Sequence, residues 1–190
     1  TQKHTVYGIS RREPIDLIPK TGYYHLYADL TNYQEIARKL PQFFEAEKQF
    51  DLVILNSGIL GEIKLMKGVS ISDMKKVMEI NVWANKNLLD QLFKLKINIT
   101  QVVGMSSMAA IRSSPGWGSY SLSKAGLDML MNIYSKEYPD THFSAFAPGL
   151  VDSEIQDYIY NIKEVEKYPS AKNLQQARYT DAMPDALSAA

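Results

Sequence analysis

The chain has 190 residues, long enough for one well-buried domain and short for two. Its 21 basic and 21 acidic side chains cancel, so no overall field argues for nucleic acid or an anionic membrane. Cysteine is absent, which excludes disulfides, thiolate catalysis and zinc–thiolate sites together and is compatible with a cytoplasmic protein.

"HTVYGIS" (4–10) is a strand candidate, followed by "RREP". "YYHLYADL" (23–30) is a second, and Thr31 to Gln34 has capping-box spacing that predicts a helix after it. "DLVILNSG" (51–58) is apolar and short, as expected of a strand buried on both faces of a parallel sheet. A long helical stretch over about 72–95 leads to the strand "ITQVVGMSS" (99–107). A helix over about 120–136 then leads to "THFSAFAPG" (141–149), again strand and turn. No internal repeat or low-complexity linker interrupts the series, so residues 1–190 read as a single domain. No apolar run reaches the length of a membrane span, and His4, His25 and His142 lack metal spacing. Strands alternating with helices predict an α/β fold, a doubly wound parallel sheet. Ligands bind such sheets beyond the carboxyl ends of the strands. The stretches to read for chemistry are therefore "SRR", "ADLT", "NSGILG", "SSMAA" and "APGLVDS".

Tyr120 and Lys124, in "GSYSLSKAGLDML", lie one helical turn apart on one face. A cation beside a phenol favours the phenolate, which would let Tyr120 exchange a proton near neutral pH. A surface helix carrying a tyrosine and a lysine would look the same. Tyr168 and Lys172 repeat the spacing, but with Pro169 after the tyrosine and no strand close upstream. Ser107 closes a strand thirteen residues before Tyr120, where its hydroxyl could hydrogen-bond a substrate oxygen. Asn81 falls mid-helix among apolar residues; a buried amide there needs partners, structural or catalytic.

As an ordered set, "LNSG", "INV", "SS", "YSLSK" and "PGLVDS" closely resemble the short-chain dehydrogenase/reductase family over about residues 4–155. The resemblance implies a Rossmann-like fold and hydride transfer between a nicotinamide cofactor and a small carbonyl or alcohol. Tyr120 would be the general acid or base, and Lys124 would lower its pKa and bond the nicotinamide ribose. Ser107 would polarise the substrate oxygen, and Asn81 would hold a relay water; Ser106 fits the family spacing less well. Asn56, Ser57 and Gly58 would line the adenosine side, Asp29 and Leu30 the adenine, and Pro148, Gly149, Val151 and Ser153 the nicotinamide. Ser10, Arg11 and Arg12 stand where NAD-preferring relatives carry an acid, and cations there suit the 2′-phosphate of NADP(H).

The family's glycine-rich phosphate loop is absent from these residues, as is the last strand of its sheet. The expectation is a portion of a longer chain, with a strand ahead of Thr1 belonging between strands 4–10 and 51–55. Direct pairing of those two strands would instead favour a rearranged, non-catalytic NADP(H)-binding sensor. The segment 154–180 is expected to cover the substrate, and its Tyr158, Tyr160, Tyr168 and Tyr179 hint at an aromatic carbonyl compound. "PGWGSYSLSKAG" and "APGLVDSEIQ" resemble sepiapterin- and benzil-reductase-like members, which implies a diketone or pterin-like carbonyl. A homodimer or homotetramer built on the two long helices is expected, with no metal, membrane or nucleic-acid partner.

Overall fold

A computed structural model describes residues 4–15, 17, 20–185 and 188. Its strands are β1 (Val6–Ser10), β2 (Tyr23–Tyr27), β3 (Gln49–Leu55), β4 (Asn98–Met105) and β5 (His142–Phe146). The helices are α1 (Tyr33–Phe43), α2 (Ile71–Met78), α3 (Ala84–Lys94), α4 (Gly118–Glu137), α5 (Glu154–Tyr160) and α6 (Pro169–Ala177). All strand pairing is parallel: β1 with β2, and β3–β4–β5 in that order. Among the described residues β1 and β3 do not pair, so the outcome that would have favoured the rearranged sensor does not occur.

Three local expectations are corrected. The cap of α1 is Asn32, whose side chain accepts from the Glu35 N–H at 3.1 Å; Thr31 instead donates to Asp29 through its N–H and hydroxyl. Asparagine competes well as a cap, and the Asp29 carboxylate has already claimed Thr31. Leu52 and Ile54 are 49% and 54% exposed while Leu55 is buried, so β3 is covered on one face only. An apolar run gives the strand but not which face has a partner. The long helix is interrupted by a π-helical turn at Glu79–Trp83, joining α2 to α3 and burying Asn81 and Val82. Such turns recur at functional sites.

The main core joins both sheets. Ile36 and Leu40 of α1, Leu55 of β3, Leu89 of α3, Val102 of β4 and Leu127 of α4 are all essentially inaccessible. Each such side chain contributes about 1.5–3 kcal/mol of burial. A second cluster, Leu60, Ile63, Trp117, Ile159 and Ala171, lies under α5 and α6, with Tyr120 packed against it. The segment after β5 therefore packs beside Tyr120.

Candidate active site

The parallel arrangement brings the five selected stretches to the carboxyl ends of their strands. Ser107 follows β4 in extended backbone and opens a short 3-10 turn, its hydroxyl accepting from the Ala109 N–H at 3.2 Å. Tyr120 lies in the first turn of α4, with its phenol close enough to Ser107 for the serine hydroxyl to act on its pKa. Ser106 points elsewhere: its N–H donates to the Phe146 carbonyl at 2.7 Å, and its buried hydroxyl has no partner among the described residues.

Lys124 is 5% exposed, with Nζ 5.5 Å from the centre of the Tyr120 ring and donating to the Met105 carbonyl at 2.6 Å. Burial pushes its ammonium down to about 8, against a smaller opposing pull from Asp128. Burial also raises the Tyr120 phenol, with the Ser107 hydrogen bond working the other way. Desolvation sets the direction of the Tyr120 shift, while the Lys124 ammonium donates to the Met105 carbonyl.

Asn81 ties three segments together. Its Oδ1 accepts from the Ile59 N–H at 2.7 Å, and its Nδ2 donates to the Ile59 carbonyl at 2.9 Å and to Ser123 Oγ at 2.8 Å. Ser123 in turn donates to the Tyr120 carbonyl at 2.7 Å. Both amide protons are spent, which leaves one lone pair on Oδ1. One turn later Asn85 donates to the Ser57 carbonyl at 3.3 Å. Gly58 faces this group: a Cβ there would lie 3.4 Å from Lys124 Nζ and 3.5 Å from Asn81 Oδ1. Gly58 is itself exposed, leaving backbone open to solvent beside this group.

The cations after β1 are engaged with carboxylates. Arg11 lies 3.7 Å from Asp29, whose pKa is held down first by the Thr31 hydrogen bonds and then by this charge. Arg12 pairs with Glu154 at the start of α5, and the Ser10 hydroxyl donates to the Arg12 carbonyl at 2.6 Å. Leu30 packs against the main core, and Asn56 is exposed. Pro148, Gly149 (φ +85°), Val151 and Ser153 form the turn after β5; no hydrogen bond among the described residues joins them to the Tyr120 group.

The control pair is structural. Tyr168 packs its ring where a Cβ on Gly116 (φ +93°) would meet it at 2.6 Å, and Lys172 pairs with Glu166 at 2.7 Å. The other tyrosines of residues 154–180 also have structural contacts. Tyr158 accepts from the Ile63 N–H at 3.2 Å, and Arg178 stacks on Tyr160 and Tyr179. Sequence reasoning passed over Ser123, Asn85, Glu154 and Trp117. Asn85 was findable as the residue one turn beyond Asn81, and Ser123 sits inside "YSLSK". A cavity of about 660 Å³, lined by Phe93, Lys94, Asn98 and Tyr138, opens at the amino end of β4, away from all of these residues.

Among curated relatives, the benzil reductase ((S)-benzoin forming) of Bacillus subtilis is 29% identical over 82% of this chain and 68% of its own. The sepiapterin reductase of Mus musculus is 30% identical over 70% of this chain and 53% of its own. The chain spans between 46% and 68% of the length of the first such relatives. A crystal structure of a short chain dehydrogenase/reductase from Saccharomyces cerevisiae shares the fold, with a TM-score of 0.86, 22% identity, and coverage of 97% of this chain and 76% of that one. A family model described as short chain dehydrogenase matches residues 12–163, from Arg12 after β1 through the Ser107, Tyr120 and Lys124 group to the end of α5 and beyond, and the chain accordingly belongs to the short-chain dehydrogenase family.

Proposed function

We propose that residues 1–190 form the dinucleotide-binding and catalytic domain of an NADP(H)-dependent oxidoreductase interconverting a small carbonyl and its alcohol. The observation that carries the reading is the Tyr120 phenol beside Ser107, whose hydroxyl draws its pKa down, with Lys124 Nζ 5.5 Å from the tyrosine ring. A bound nicotinamide supplies or takes the hydride. Carbonyl reduction turns a neutral oxygen into an alkoxide, which needs donors already in place and a prompt proton. Ser107 and Tyr120 donate to that oxygen, and Tyr120 passes its proton. The burial that raises the phenol keeps it protonated until the alkoxide forms, while the Lys124 ammonium stabilises the phenolate left behind. Asn81, through its free lone pair, orders a water that returns the proton, and Lys124 holds the ribose. Asn56, Ser57 and Gly58 line the adenosine side, and Arg11 and Arg12 bind the 2′-phosphate in exchange for Asp29 and Glu154.

The relatives named as benzil and sepiapterin reductases support a substrate with oxygen on two neighbouring carbons. The cysteine-free composition suits the cytoplasm. Trp83, Leu122, Met129 and Ile133 are each 46–57% exposed on α4 and the turn before α3, which supports association of two copies through these helices. The test is Tyr120→Phe in the full-length protein with NADPH and a carbonyl panel. A fall in kcat of about 10²–10⁴ is expected, the usual share of general acid catalysis. Parental turnover in that variant refutes the proton-donor role; retained NADPH binding with no turnover in the parent favours a sensor.

A further inference from the structure

Trp117 holds a polar group that the proposed reaction leaves unused. Its side chain is 9% exposed, and its indole N–H meets no acceptor among the described residues. Buried indole N–H groups nearly always find a partner, because leaving one bare forfeits its bond to water. Packing alone does not call for the nitrogen: a phenylalanine would fill the same apolar cluster with Leu60, Ile63, Ile159 and Ala171 and leave nothing unsatisfied. Buried hydroxyls without a partner, such as those of Ser106 and Ser119, can rotate toward whatever arrives. The indole cannot. Its backbone is held by the Gly116 turn on one side and, on the other, by the Ser121 N–H donating to the Trp117 carbonyl at 2.8 Å.

Trp117 precedes Tyr120 by three residues, on the same side of the start of α4, and the two rings lie 6.0 Å apart at 59°. We propose that the Trp117 indole N–H binds the second oxygen of a vicinal dicarbonyl or α-hydroxy ketone whose reacting carbonyl is held by Tyr120 and Ser107. The assignment rests on the proton-donor reading of Tyr120. Two donors take the oxygen being reduced; a third, one ring contact away, addresses an oxygen on the adjacent carbon. A simple ketone leaves the indole bare, whereas a dicarbonyl satisfies it, and sites built on such a bond discriminate through the group left unpaired.

The experiment compares kcat/KM for benzil and deoxybenzoin, which differ by the second oxygen, in the full-length protein with its preferred nicotinamide cofactor. The parent should favour benzil, and Trp117→Phe should lower the benzil-to-deoxybenzoin ratio about tenfold, the scale of one buried hydrogen bond. An unchanged ratio, a parent with no preference, or a parent that reduces neither compound overturns the proposal. If Trp117→Phe does not fold, isotope-labelled indole N–H resonances in the Tyr120→Phe protein give the same answer. The Trp117 signal, told from that of exposed Trp83 by Trp83→Phe, should move with benzil and not with deoxybenzoin; equal shifts or none overturn it. Tyr120→Phe separates the two layers. Retained turnover there removes the proton donor, while lost turnover with an unchanged Trp117→Phe ratio removes only the indole.

Discussion

Replacing Asn81 by alanine should destabilise the protein by about 2–4 kcal/mol, well above what its small size suggests. The side chain is completely buried and makes three hydrogen bonds, at 2.7, 2.9 and 2.8 Å, that pin the 56–65 loop and α4 to the π-helical turn. Each contributes about 0.5–1.5 kcal/mol net, and the Ile59 N–H and carbonyl lose partners in a half-buried place where unmade bonds cost more. For a chain of this size the loss corresponds to a fall in Tm of about 5–15 °C. The assay is urea and thermal unfolding of the full-length protein, with the urea m-value checked for constancy. Asn85→Ala is the internal control. Asn85 is equally buried, but its Oδ1 has no partner among the described residues, and its Nδ2 makes one bond to the Asn81 carbonyl a turn back at 2.9 Å and a long one to Ser57 at 3.3 Å. It should cost half as much or less. Equal losses for the two variants, or a loss below about 0.5 kcal/mol for Asn81→Ala, would refute the clamp.

Arg11→Ala should weaken NADPH binding about tenfold or more while leaving NADH binding nearly unchanged, read by fluorescence titration; equal losses would show that Arg11 makes no 2′-phosphate contact. Lys124, pushed down to about 8 by burial, gives a pH signature whose sign is fixed. Between about 8 and the unfolded value near 10.4 the unfolded state binds the extra proton, so stability rises with pH across that window. The gain is on the order of 2–3 kcal/mol, and it should vanish from the difference between parent and Lys124→Met in unfolding at pH 8 and pH 10.5. A flat difference would contradict the buried cation. Met129→Glu, on an exposed position of α4, should shift the full-length protein toward monomer by light scattering, and a parent that is already monomeric at micromolar concentration would refute the interface.

The order of elements was legible from the sequence because alternation of short β-rich runs with helical stretches is a local property. All five strands and the helices around 72–95 and 120–136 stand within a few residues of their predicted places. So was the Tyr120–Lys124 pairing, since helix geometry alone puts residues four apart on one face. The contacts that give those residues their character are not local. Ser107 reaches Tyr120 only because β4 ends beside the start of α4, and Lys124 finds the Met105 carbonyl nineteen positions back for the same reason. No spacing rule announces a backbone acceptor. The sign of the Tyr120 shift also lay beyond the sequence, because a neighbouring cation and burial push a phenol in opposite directions and only packing says how dry the site is. The one-sided cover of β3, the switch of α1's cap to Asn32 and the bare indole of Trp117 have the same origin. Residue types state which bonds a side chain can make; the tertiary structure decides which partners are within reach and which groups are left waiting for one.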